Sequence, residues 1–319
     1  MTLAPSVAPA PDACAHAFTA PPWCSGLAEV VERLPQVDAW VVDQFGVLHD
    51  GRQAYPGAAD ALRRLVTRGD PVIVLSNSGK RNAPNEARLA ARGFDRGCYT
   101  ALLTSGELTH RLLAERRDPF FAALGPRCWL AANDGDTGLL DGLPLTRVAR
   151  ADEADLVILA GMAGAHDAQA FDADFAAAVA RGVPAVCANP DLLRLDGGTL
   201  APSSGALAQR YEALGGTVRW IGKPHADVYA WCRATLAALG RASPAMLGDS
   251  LLHDVAGAQR AGWRTVLVAG GLHRDELLAP GIDRAASLQR LCAAHGLAAA
   301  PDAVIDQVAW RAAAGSTPF

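Results

Sequence analysis

The chain has 319 residues, half of them apolar and 19% charged, enough for one large domain or two moderate ones with buried cores. A net charge of -4 and a pI near 6.1 give no basis for nucleic acid or an anionic membrane surface as partner. No apolar run is long enough to span a bilayer. Seven cysteines (Cys14, Cys24, Cys98, Cys128, Cys187, Cys232 and Cys292) show no paired spacing, which points to reduced thiols in a cytoplasm and away from a disulfide frame or zinc site.

Residues 1–25 are rich in Ala and Pro and lack the basic start and apolar centre of a signal peptide, so we expect a disordered lead-in. Gly26 to Leu34 has helical periodicity and is stopped by Pro35. The run Trp40-Val41-Val42 reads as a buried strand that ends on Asp43, and Gly46 permits a tight path into a hairpin closed by Asp50-Gly51. Pro56-Gly57 starts a helix to about Arg68. Val72-Ile73-Val74-Leu75 is a second buried strand, ending on Ser76-Asn77-Ser78-Gly79-Lys80, and a helix is expected from about Asn85 to Arg92. Leu102-Leu103-Thr104 is a third, short strand, followed by a helix through Leu112.

From about Glu115 the alternation restarts. Trp129-Leu130-Ala131, Leu156 to Leu159 and Ala185-Val186-Cys187 read as strands, and Asp167 to Arg181 as a helix. Short extended pieces near Leu195 and Leu200 precede a helix from Ser204 to Leu214. This segment reads as an inserted α/β domain, with solvent-exposed exits expected at both junctions. Val218 to Ile221 then runs into Gly222-Lys223-Pro224 and a helix. Ala245-Met246-Leu247 is a strand ending on Gly248-Asp249-Ser250, with Asp254 opening the next helix. Arg264 to Val268 is the last predicted strand, and the Ala-rich tail beyond Leu277 offers no chemistry.

Of the 29 basic residues only Lys80 and Lys223 are lysine. A lysine kept against that bias suggests a need for its compact ammonium, which the broad fork of arginine does not replace. Asp43, Ser76 with Asn77, Lys223, and Asp249 with Asp254 all stand at strand ends, and in a doubly wound sheet such ends face one crevice. Carboxylates with an ammonium and a hydroxyl suit a divalent, oxygen-loving cation and a phosphoryl group.

These motifs, in this order, resemble the haloacid dehalogenase superfamily, most closely its subfamily IIA with a large α/β cap. That subfamily holds 4-nitrophenylphosphatase-like and nucleotide or sugar phosphatases. The matching segments are Asp43-Gln44-Phe45-Gly46-Val47-Leu48, Leu75-Ser76-Asn77-Ser78, Gly222-Lys223-Pro224, and Gly248-Asp249-Ser250 with Asp254. Asn189-Pro190-Asp191 and Ser204-Gly205-Ala206-Leu207 also look like its cap-to-core region.

The resemblance implies a doubly wound, parallel-sheet Rossmann-like core in residues 26–114 and 218–319, with an α/β cap inserted in residues 115–217. It implies Mg²⁺ as cofactor, a small phosphorylated metabolite as substrate, and dimerisation through the cap as seen in capped relatives. By position Asp43 would be nucleophile and metal ligand, Asp249 a metal ligand, and Asp254 a ligand directly or through water. Ser76 and Lys223 would hold phosphate oxygens, and Asn77 substrate or phosphate. Lys80 is expected to be a solvated neighbour.

One departure stands out. Where phosphatases of this superfamily carry an aspartate that protonates the leaving group, this chain has Phe45. Its backbone carbonyl can still serve the metal, but its side chain can move no proton, and such help is worth about 10²–10⁴-fold. The expectation is a phosphomonoester hydrolase working through an aspartyl-phosphate, with weak turnover unless another group supplies the proton. The alternative is a phosphate-ligand binding or regulatory protein on the same fold.

Overall fold

A computed structural model describes residues 18–162, 167–196 and 199–312. In chain order its strands begin with β1 (Trp23–Cys24), β2 (Ala39–Asp43), β3 (Val72–Ser76) and β4 (Ala101–Thr104). They continue with β5 (Arg127–Ala131), β6 (Thr146–Arg147), β7 (Leu156–Leu159), β8 (Ala185–Cys187), β9 (Leu193–Asp196), β10 (Thr199–Pro202) and β11 (Val218–Trp220). The last are β12 (Pro244–Gly248), β13 (Arg264–Val268) and β14 (Ala303–Ile305).

Every residue of β2, β3 and β12 is buried, which is why these segments read as unbroken apolar runs. Successive side chains point to opposite faces. Trp40, Val42, Val72 and Val74 pack with Leu62, Leu65 and Leu89 of the helices on one side. Val41, Ile73 and Leu75 pack with Leu108, Leu113, Val228 and Leu236 of the helices on the other. The resulting sheet is parallel throughout, in the order β1-β14-β13-β12-β2-β3-β4. From β2 the chain winds outward through β3 and β4, and from β12 it winds the other way. The strand order therefore reverses between β2 and β12, where an open α/β sheet leaves a crevice at its carboxyl ends.

The middle of the chain forms a second parallel sheet, β11-β8-β7-β5-β6, and an antiparallel β9–β10 hairpin. The fold is the expected doubly wound α/β core with a second α/β unit inserted in it. Three details differ from the sequence reading. Val218–Trp220, placed in the core by the 217/218 boundary, pairs with Ala185–Cys187 of the second sheet. A local apolar run announces a strand but says nothing of its partner. Trp23–Cys24, assigned to the lead-in, pairs with β14, a strand unseen in the Ala-rich tail; residues 1–17 lie outside the described residues. Finally, the exit near Glu115 and the expected return near Thr217 are both exposed, but with Val218–Trp220 counted in the second sheet the return to the core runs through Ile221, Gly222 and Lys223, which are buried. No helix among the described residues is long and apolar enough to cross a membrane, and the six described cysteines are free and buried.

Candidate active site

Asp43 ends β2, Ser76 ends β3, and Asp249 follows β12, so three polar groups reach the switch-point crevice from adjacent strands. Lys223 arrives separately, three residues beyond β11. Its Nζ donates to Asp43 Oδ1 and to Asp254 Oδ1, the latter at 2.6 Å. Asp254 sits in a wide, π-type helical turn, Leu251–Val255, where its Oδ2 accepts from the Ser250 N–H at 3.0 Å. Asp249 Oδ2 accepts from the Leu272 N–H at 2.8 Å.

Two glycines make room for these carboxylates. Gly46 has φ +81°, and a Cβ there would lie 1.9 Å from Asp249 Oδ2. A Cβ on Gly248 would lie 2.2 Å from the Asp254 carboxyl carbon. The Asp-x-x-Gly and Gly-Asp spacings thus have a steric cause, and any side chain at either glycine would displace a carboxylate.

Oxygens of Asp43, Asp249 and Asp254 come within 4.8 Å of one another, and all three residues are buried. Burial raises the Asp43 carboxyl above its ordinary range; the Lys223 ammonium pulls it back, and Asp254 pushes it up again. Asp249 is also raised, by burial first and then by Asp43 and Asp254. Burial works against charge on Lys223, but the Asp254 and Asp43 carboxylates outweigh it and hold the ammonium above its usual range. Three carboxylates against one ammonium leave an excess of buried negative charge. Hard oxygen donors with that excess fit a divalent cation, whose charge would return the carboxyls to their ionised forms.

The remaining predicted residues are divided between the crevice and its frame. Ser76 is buried at the strand end, its Oγ accepting from the Ser78 N–H at 3.3 Å. The Asn77 side chain is spent on structure. Its Oδ1 accepts from the Lys223 N–H at 2.7 Å, and its Nδ2 donates to the Lys223 carbonyl at 3.1 Å and to Asp191 Oδ1 at 2.8 Å. Asn77 therefore clamps the Lys223 loop and the Asn189-Pro190-Asp191 turn to the core. Asp191 also faces His253 Nδ1 at 3.5 Å. Lys80 is not simply solvated: it pairs with Asp136 of the inserted unit at 3.0 Å.

Sequence reasoning missed the network under the hairpin. His49 Nδ1 accepts from the Gly51 N–H at 2.9 Å, so the neutral ring carries its proton on Nε2, 3.1 Å from the Gln44 amide. The Gln44 oxygen, otherwise buried without a partner, completes the network when it faces that proton. Burial, with Arg92 adding, pushes the His49 pKa down to about 4. His49 is thus a neutral strut for the hairpin rather than a proton donor. Phe45 lies over this hairpin, edge-on to His49 with ring centroids 6.0 Å apart, and is 46% exposed.

Comparison with known proteins gives the chain a family. Residues 40–143 match a family model described as haloacid dehalogenase-like hydrolase, and residues 220–310 match a second HAD-hydrolase-like model. The chain is 31% identical to chronophin of Homo sapiens over 255 residues, covering 73% of this chain and 81% of that one. A haloacid dehalogenase-like hydrolase from Brucella suis 1330 superposes with TM-score 0.72 at 25% identity, over 88% of this chain and 99% of the other. A glycerol phosphate phosphatase of Mycobacterium tuberculosis, solved in complex with calcium, matches with TM-score 0.58 at 25% identity, over 77% and 70%. Its magnesium complex matches with the same score at 24% identity, over 78% and 73%. With four motifs converging on one crevice and these relatives alongside, the chain belongs to the haloacid dehalogenase-like hydrolases.

Proposed function

We propose that the protein is a Mg²⁺-dependent phosphomonoester hydrolase acting on a small phosphorylated metabolite, with the inserted unit, extended to include Val218–Trp220, as its cap. The observation that carries this reading is the cluster of Asp43, Asp249 and Asp254 around the buried Lys223 ammonium. The magnesium complex of the mycobacterial glycerol phosphate phosphatase supports the choice of cation. Asp43, Asp249 and Asp254, with the Phe45 carbonyl, would hold the metal, which when bound neutralises charge on the carboxylates and the phosphoryl oxygens.

The chain's own residues do the rest. An Asp43 oxygen attacks phosphorus and forms an aspartyl-phosphate as the ester P–O bond breaks. The Ser76 hydroxyl and Lys223 ammonium hold phosphoryl oxygens, and Asn77 fixes the Lys223 backbone so that this placement costs no reorganisation. Water then cleaves the aspartyl-phosphate, regenerating the carboxylate and releasing phosphate.

Phe45 favours a second reading, a phosphate-ligand binding or regulatory protein that has kept the pocket and lost turnover. Phosphate release from a panel of phosphorylated metabolites with Mg²⁺ decides between them. Turnover that is present in the wild type and lost in Asp249→Ala, together with a Mg²⁺-dependent rise in melting temperature that Asp249→Ala abolishes, supports the hydrolase. An identical Mg²⁺ shift in both proteins would remove Asp249 from the metal site.

A further inference from the structure

The Asn189-Pro190-Asp191 turn brings to the crevice a charged side chain that the chemistry above leaves idle. The turn follows β8 of the smaller sheet, and backbone packing fixes its depth on two sides. A Cβ on Gly222, where φ is +135°, would lie 2.5 Å from Pro190 Cδ, and one on Gly205 would lie 2.3 Å from the Pro190 carbonyl oxygen. The Gly205 N–H donates to the Asp191 carbonyl at 3.0 Å. So held, Asp191 Oδ1 accepts from Asn77 Nδ2 at 2.8 Å, and Asn77 stands next to Ser76 with its own oxygen on the Lys223 N–H. One side chain separates the Asp191 carboxylate from the two residues that hold phosphoryl oxygens. Asp191 Oδ2 makes no hydrogen bond among the described residues. The charged or titratable groups that bear on it are His253, whose Nδ1 lies 3.5 Å from Oδ1, and Lys223, whose ammonium is turned to Asp43 and Asp254.

A second observation concerns direction. Asp43 approaches from the larger sheet, and in-line displacement sends the leaving oxygen to the far side of phosphorus. Asp191 belongs to the other wall of the crevice, which the inserted unit contributes. The remaining groups that could carry a proton are committed elsewhere. Asp43, Asp249 and Asp254 belong to the metal site, and neutral His49 has both ring nitrogens engaged. Phe45 has no proton to give. That leaves Asp191 as the carboxylate with an oxygen free for one.

We propose that Asp191 is the proton carrier of this site, performing from the inserted unit the task that Phe45 cannot. This rests on the phosphatase reading above. An Asp43 oxygen bonds to phosphorus as the ester P–O bond breaks, and the bonding pair leaves on the ester oxygen. That oxygen takes the proton of the Asp191 carboxyl group and departs as the alcohol. The Asp191 carboxylate then takes a proton from water as the water oxygen bonds to phosphorus. The bond from phosphorus to the Asp43 oxygen breaks, its pair returns to the Asp43 carboxylate, and hydrogen phosphate leaves. Asp191 ends the cycle protonated, as it began. The net reaction is phosphate monoester plus water giving alcohol plus hydrogen phosphate.

The test uses the full-length protein with saturating Mg²⁺ and two esters. The alkoxide of n-butyl phosphate needs a proton to leave, and the aryloxide of 4-nitrophenyl phosphate leaves without one. Asp191→Asn keeps an oxygen for the Asn77 amide but cannot carry the proton, so its Mg²⁺-dependent rise in melting temperature should match the wild type. On butyl phosphate its kcat should fall about 10²–10⁴-fold, the range of general acid–base help. On 4-nitrophenyl phosphate it should release a burst of nitrophenol equal to the enzyme concentration and then slow, because only the second step lacks its base. Phe45→Asp in the Asp191→Asn background should recover butyl phosphate turnover and abolish the burst. A purely structural role would lower both esters alike, with no burst. That result, or a kcat for Asp191→Asn equal to the wild type, would overturn the proposal and leave the phosphatase reading intact. Loss of the Mg²⁺ shift would overturn it too, by making Asp191 a support of the metal site. No turnover of either ester, by wild type or Phe45→Asp, would defeat the phosphatase reading itself.

Discussion

The molecule contains two parallel sheets, and the strands of both end in turns where an α/β fold can place a site. At the edge of the larger sheet stand Asp43, Ser76 and Asp249. At the edge of the smaller one stand Ala132-Asn133 after β5, Ala160-Gly161 after β7 and Ala188-Asn189 after β8. The polar groups after these three strands are neutral and tie the turns of that edge together. Asn133 Oδ1 accepts from the Met162 N–H at 2.9 Å, and Asn189 Oδ1 from the Asp191 N–H at 3.0 Å. Those of the larger edge are like charges forced together, with one ammonium among three carboxylates. Topology nominates two edges; unbalanced buried charge singles out one.

The sharpest way to break this comparison is to remove the ammonium. Lys223→Met should destabilise the metal-free protein at neutral pH by about 3–5 kcal/mol in urea unfolding, because it leaves buried carboxylates unpaired. The deficit should shrink as Mg²⁺ is added. A loss below about 1 kcal/mol, with no response to Mg²⁺, would mean that the charge is relieved some other way. At the neutral edge, Asn133→Ala should cost only about 0.5–1.5 kcal/mol, the worth of one hydrogen bond, and leave the hydrolytic kcat unchanged. A large fall in kcat would show that the smaller edge takes part in the chemistry.

The smallest effect separates the two edges by acid. His49 is held with its pKa pushed down to about 4 from an ordinary 6.5, so the folded hairpin disfavours its protonation. Its contribution to stability is complete above about 6.5 and is lost as pH falls toward 4. Amide exchange of residues 46–51 should therefore quicken across that window, and His49→Gln should blunt the change. Strands β7 and β8 should respond little; parallel acceleration there would indicate general acid unfolding instead.

Much of this arrangement is legible in the sequence. Asp43, Ser76, Lys223, Asp249 and Asp254 stand where apolar runs stop, and the parallel fold turns each stop into a neighbour of the others. What escapes is pairing. Val218–Trp220 reads as a strand from its own residues, but its place beside Ala185–Cys187 depends on a surface elsewhere in the chain. Ala303–Ile305 is too short, and too like its Ala-rich surroundings, to stand out before β13 and β1 flank it. The Asn77 clamp is invisible for a related reason, since its hydrogen bonds to Asp191 and Lys223 span 114 and 146 residues.

The strand Val218–Trp220 sets a mechanical limit on the enzyme. Only Ile221 and Gly222 separate Trp220 from Lys223, a tether of three Cα–Cα steps that extends to about 10 Å at most, and Asn77 grips its far end. The smaller sheet cannot swing away from the larger one without drawing on the backbone that holds the ammonium. Opening of the cleft and placement of its positive charge are one coordinate. An inserted unit grafted from a relative would have to bring its own last strand, with the seam cut after Trp220 and the tether length preserved.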